Sequence, residues 1–201
     1  MILHDKIGAQ LPAWRERFKT LAKDNAEVVV DKVTIGQIVG GMRDIKSLVT
    51  DISFVDPAEG IRFRGMSIPE VLKALPKPRG AKIPYVGGLY YPSLHRRLCF
   101  IRYKASAKIP YVGGLYYLLM VGEVPTRAQA LEVEAEWGKR ASVPAYVFKM
   151  LKSMPAETHP MTLISQAVLA LQNGSTFAQK YHDGMKKDAY WEPALDDSLN
   201  L

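Results

Sequence analysis

The chain has 201 residues, 48% of them hydrophobic and 23% charged, with a net charge of +7 and a single cysteine, Cys99. That is enough chain to bury a real core in one large domain or two small ones; one cysteine excludes a disulfide framework, and apolar runs short of roughly 20 residues leave no spanning helix. The opening MILHDKIGAQLPAWRERFK lacks the apolar core of a secretory signal, and Asp5 and Glu16 do not suit a mitochondrial presequence, so no targeting segment is visible.

The first strong helical pattern is Trp14, Phe18, Leu21 and Ala22, at i, i+4, i+7 and i+8 with charges between. Thr34 suits the N-cap of a second helix through Ile35, Ile38, Val39 and Met42, which Gly40-Gly41 should loosen or end. Around the turn signals Asp56-Pro57 and Glu59-Gly60 the period changes to two. Ile52 and Phe54 alternate with Ser53, and Ile61 and Phe63 with Arg62 and Arg64, which predicts a β-hairpin. Arg62 and Arg64 then fall on its polar face, with Asp51 and Glu59 as ion-pair partners. SIPEVLKAL follows as a short helix, opened by the capping box of Ser67 and Glu70.

From Pro76 to about Gly114 no period holds. No acid occurs between Glu70 and Glu123, yet that interval carries nine lysines and arginines, more than the whole chain's net charge. A nucleic-acid binder spreads its cations over a defined face with aromatics placed for stacking, whereas here the excess lies in one irregular segment, so the high pI says little about partners. Leu115–Val121 is a short apolar segment closed by Gly122 and Pro125. Thr126 caps a helix carrying Leu131, Ala135 and Gly138 in one row and Val133 and Trp137 in another. Pro144 suits the first turn of the next, with Val147, Met150, Leu151 and Met154 on one face. Pro160 opens a helix whose Leu163, Ile164, Ala167, Val168, Leu169 and Leu171 leave little polar face, so it should be buried, in its own domain or against another subunit. Asn173-Gly174 stops it, and Ser175 caps a further helix with Phe177, Ala178 and Tyr181. The class is mainly α with one small hairpin, and the chain ends at DDSLNL without a stop signal.

The irregular stretch contains an identical duplicate: AKIPYVGGLYY stands at 81–91 and again at 107–117. Solenoid repeats are degenerate, number three or more, and each forms a complete unit, so this is not one. Nor does its Gly-Gly carry the Lys or Ser/Thr of a phosphate loop. Removing 26 residues joins PKPRG-AKIPYVGGLYY-LLMVGEVPT without a seam and takes the net charge from +7 to +2. Residues 92–117 therefore read as a duplicated insertion.

Without that insertion the chain resembles the N-terminal portion of citrate synthase, of the eukaryotic mitochondrial type. The blocks that carry the resemblance are GGMRDIKSLVTDISFVDPAEGIRFRGMSIPEVLKALP (40–76), GLYYLLMVGEVPT (114–126), EWGKRASVP (136–144), HPMTLISQAVLAL (159–171) and Tyr190-Trp191. The resemblance implies a multi-helical fold in which 1–201 is an incomplete N-terminal part of the large domain, without the small catalytic domain. It implies a homodimer that condenses acetyl-CoA with oxaloacetate in the mitochondrial matrix, or in the cytoplasm of a bacterium. A carboxylate and two histidines do that chemistry in the family, by proton transfer and stabilisation of a developing oxyanion. They are expected beyond Leu201, so the isolated chain is expected to be inactive, with no catalytic residue of its own.

The four histidines present have plainer roles. His4 belongs to a frayed terminus, His95 to the insertion, His159 to packing or capping at a helix start, and His182 to a solvated face. No pair has metal-ligand spacing, and neither metal nor cofactor is expected beyond acetyl-CoA as substrate. Two positions match the family's contacts to CoA phosphates. Arg43 offers a guanidinium fork that suits phosphate oxygens, and Lys187 stands where the family has an arginine donated across the dimer. Pro193 departs from the family pattern, because proline inside a helix costs about 3 kcal/mol unless it falls in the first turn. Beside the enzyme fragment stand two other readings: a catalytically inert helical dimerisation or interaction module of the same descent, and a basic nucleic-acid binder using residues 73–108. Neither nucleic acid nor membrane is expected as a partner.

Overall fold

A computed structural model describes residues 1–43, 45, 48–56, 58–78 and 110–201. The first copy of the duplicate, His95, Cys99 and residues 92–109 of the expected insertion lie outside the described residues. The chain divides into two compact units, one of Met1–Lys77 with the described residues from 110 to Ala130, the other Leu131–Leu201.

The first unit opens with α1 (Ile2–Asp24), longer at its start than the Trp14-to-Ala22 pattern predicts. Pro12 lies within it, and the helix continues back to Ile2 because α1 packs on α4 and Leu3 is fully buried. His4 therefore sits in a packed first turn, and the expectation of a frayed end is wrong. A short α2 (Ile35–Val39) is held by a capping box in which Gln37 N–H donates to Thr34 and Thr34 N–H to Gln37. Gly40 ends it, so Met42 falls outside.

The hairpin pairs β1 (Ser53–Asp56) with β2 (Gly60–Phe63), Asp56 opposite Gly60 and Phe54 opposite Arg62. The Asp56 carboxylate accepts from the N–H of Ala58 and Glu59, which shapes the turn. A third strand that no period announced, β3 (Met66–Ser67), returns along β2 through Arg64-Gly65. Both turn residues have positive φ, 49° and 81°, as two-residue hairpin loops of the primed type require. α3 (Ile68–Ala74) follows, its capping box formed by Ser67 and Glu70 as expected. Val71 and Leu75 then meet Leu118 in the core, with Phe63, Met66 and Leu115 around them.

α4 (Val112–Val121) starts three residues before the apolar segment at Leu115 and includes Gly113-Gly114. A side chain at Gly114 would touch Ala130, Pro125 and Pro76, so the glycine lets the helix sit close to that wall. Gly122, with φ of 85°, closes it. α5 (Arg127–Arg140) is capped by Thr126, which exchanges hydrogen bonds with Gln129.

In the second unit α6 (Ala145–Ser153) starts after Pro144 and buries Val147. α7 (Pro160–Leu171) is capped by His159, whose Nδ1 accepts from Met161 N–H. Of the two expected placements for α7, burial within its own domain is not what the structure has: Met161, Ile164, Val168 and Leu169 are exposed in this chain, the last by 74%. α8 (Thr176–His182) is capped by Ser175 and held by Asp197, whose carboxylate accepts from the N–H of Thr176 and Phe177. Pro193 is buried as the third residue of α9 (Trp191–Asn200), a position whose N–H has no helical acceptor, so the helix tolerates it.

Candidate functional site

Within the first unit, α1 and the hairpin flank a cleft of about 640 Å³. Gln10, Trp14 and Arg17 line it at i, i+4 and i+7 of α1; Asp51, Ile52, Arg64 and the last turn of α4 face them. Asp51 is its hub. The carboxylate accepts from Trp14 Nε1 at 3.1 Å and from the Arg17 guanidinium, and pairs with Arg64 at 3.2 Å. Burial pushes the Asp51 pKa up, but the hydrogen bonds from Arg17 and Trp14 and the charges of Arg64 and Arg17 outweigh it, so the acid titrates below its ordinary value.

Arg64 does not lie on a polar hairpin face. Its side chain is only 15% exposed, and Nε and Nη2 donate to the Leu119 carbonyl at 3.1 and 2.6 Å. The expected ion pairs are present, Arg64 with Asp51 and Arg62 with Glu59 at 2.5 Å, yet burial makes Arg64 a brace between the hairpin and the end of α4. At the other end of the cleft Glu123 accepts from Lys6 at 3.2 Å and Gln10 at 2.9 Å, and that carboxylate raises the Lys6 pKa. Both carboxylates are occupied by donors, and Asp51 stays ionised at neutral pH. An acid so held is a poor proton acceptor, so this cluster fastens α1 to the hairpin and does not move protons. An acid before the hairpin and Trp14/Arg17 one turn apart on α1 were the only sequence signals for it.

The two residues expected at CoA phosphates are both exposed. Arg43 follows Gly41 and Met42, whose φ values of 83° and 60° turn the chain out of α2. Lys187 begins the 3₁₀ turn Lys187–Ala189, whose first carbonyl accepts from Tyr190 N–H at 3.2 Å. They belong to different units, and each keeps its ammonium or guanidinium at the surface. Among the other expected site residues, His159 caps α7 and His182 ends α8 on an exposed surface. Among the described residues no group of three His, Cys, Asp or Glu could hold a metal ion, and no helix is long and apolar enough to cross a membrane.

Residues 41–200 match the family model "Citrate synthase, C-terminal domain". The chain is 39% identical over 199 residues to the "Probable citrate synthase, mitochondrial" of Glossina morsitans morsitans. It is 38% identical, over the same length, to the "Citrate synthase, mitochondrial" of Neurospora crassa. Each alignment covers 99% of this chain and 37% of the relative.

Proposed function

The chain belongs to the citrate synthase family, and we propose that it supplies helical scaffold and two CoA-phosphate contacts to an enzyme that condenses acetyl-CoA with oxaloacetate and water into citrate and CoA, at entry to the tricarboxylic acid cycle. Identity of 39% over nearly the whole chain carries this reading. The names of the relatives place them in mitochondria, and the matrix is the compartment we assign. In this reading a carboxylate takes a proton from the acetyl methyl, one histidine holds the enolate, and another acts at the oxaloacetate carbonyl. Arg43 and Lys187 contribute before that chemistry, by holding the nucleotide end of acetyl-CoA so that the thioester is positioned. Arginine can bind phosphate through two parallel N–H donors, whereas lysine offers a point charge. The assembly is a homodimer, and no resident cofactor takes part.

A second reading, an inert dimerisation module of the same descent, is favoured by the exposed apolar residues of α7. Calorimetric titration of the 201-residue chain with CoA separates the two. On the first reading CoA binds, dephospho-CoA binds more weakly, and Arg43→Ala weakens CoA by about tenfold, the loss of one charge-assisted contact. Absence of CoA binding, or an unchanged Kd in Arg43→Ala, sinks the first reading. With both substrates present, thiol release above a no-protein blank is not expected from these 201 residues alone.

A further inference from the structure

The duplicate gives this chain two identical strings for one structural slot, and α4 shows which of them fills it. The slot is built by groups outside the repeat. The Pro76 carbonyl accepts from Tyr111 N–H at 3.1 Å, Arg127 Nε donates to Tyr111 Oη at 3.3 Å, and Gln129 Nε2 donates to Tyr117 Oη at 3.2 Å. The wall of Ala130, Pro125 and Pro76 stands 3.5–3.7 Å from where a Cβ on Gly114 would lie. Each of these contacts is made to a residue that the first copy also contains, so the slot by itself cannot distinguish the copies.

The residues that follow can. After the second copy come Leu118, which is 1% exposed in the core, Leu119, whose carbonyl accepts from Arg64, and Gly122, whose left-handed backbone closes the helix. After the first copy the equivalent positions are Pro92, Ser93 and Arg96. Proline in place of Leu118 would lose the core contact, remove an intrahelical N–H and clash with the preceding turn. Arginine in place of Gly122 would have to adopt φ near +85°, which L side chains resist.

We infer that the choice between copies is made by the five residues after the repeat, and that 26 residues, one copy together with the 15 that separate the two, are an insertion the fold closes without. The hydrogen bond between Pro76 and Tyr111 shows that the ends of the intervening stretch, residues 77–110, already meet. Deleting residues 82–107 leaves one copy and eight residues to span the same short gap, 77–81 and 108–110. Eight is within the ordinary range of helix–helix connections, and a shorter loop loses less entropy on closure. This inference does not depend on the functional reading.

The test compares thermal unfolding of the chain with three variants: deletion of 82–107, Gly114→Leu and Gly88→Leu, the same change in the other copy. The deletion should unfold cooperatively at or above the original midpoint, with a rise of about 2–4 °C. Gly114→Leu should lower the midpoint by several degrees, and Gly88→Leu should leave it unchanged. A deletion midpoint below that of the full chain overturns the inference. So does an equal loss from Gly88→Leu, or no loss from Gly114→Leu.

Discussion

Gly114 and Gly122 differ in what a side chain would cost, although they stand at the two ends of one core helix. At Gly114 a Cβ would make ordinary van der Waals contacts, and the backbone is helical. Gly114→Ala should therefore raise stability by about 0.5–1 kcal/mol in urea unfolding, since glycine loses more chain entropy on folding. Gly122→Ala should lower it by about 1–2 kcal/mol, because φ of 85° is costly for any residue with a Cβ. Equal effects at the two sites would contradict this reading of α4. Asp51 sets a pH-dependent term. Its folded pKa is depressed, so its contribution is complete above the unfolded value of about 3.9 and is lost as pH falls through the folded value. Asp51→Asn should cost about 1–2 kcal/mol at pH 7, modest because a third of the side chain is exposed and solvent screens the pair. That cost should shrink below pH 4 and vanish once Asp51 itself is protonated; a constant difference from pH 7 to pH 2 would refute it. The sequence names Asp51 only as an ion-pair partner, because its other donors, Trp14 and Arg17, reach it from 37 and 34 positions away.

At the scale of elements, local chemistry made most helix boundaries legible. Thr34, Ser67, Thr126, His159 and Ser175 each cap the helix expected after them, since a side-chain acceptor near the first turn is a short-range signal. Elements that depend on distant packing were missed: β3, the early start of α4, and the first three turns of α1. α7 shows the converse. Its composition demands burial, and within this chain it does not obtain it. Met161, Ile164 and Val168 fall at i, i+3 and i+7 on one exposed face, with Leu169 beside them, so association should cover them. Light scattering on a sizing column should give a mass above the 22.4 kDa of one chain, rising with concentration. Leu169→Glu should restore the single-chain mass and leave the melting midpoint within about a degree, because an exposed position contributes little to folding. A monodisperse single chain before the substitution would remove the case for α7 as a contact surface.

For the whole molecule, most elements followed from periodicity and caps, with β3 and α9 the additions, and the mainly α class with a small sheet is what the structure has. Charge was the less direct guide. The net +7 arises from an acid-free interval that largely coincides with the duplicate and the residues between its copies, whereas the helical units mix both signs, as in Lys6–Glu123 and Arg140–Glu136. A protein built to hold nucleic acid couples its cations to base or sugar contacts, which add a preference among sequences. Here deletion of 82–107 takes the charge to +2 without touching a described contact. Binding to a duplex of random sequence should then be weak at 50 mM salt, fall steeply by 200 mM, and be lost at both in the deletion variant. Retention of binding by that variant, or preference for one sequence at 200 mM salt, would place the cationic surface among the described residues and revive the nucleic-acid reading. Loss in both conditions assigns the high pI to the sequence between the copies, and leaves Arg43 and Lys187 as cations to be judged by CoA alone.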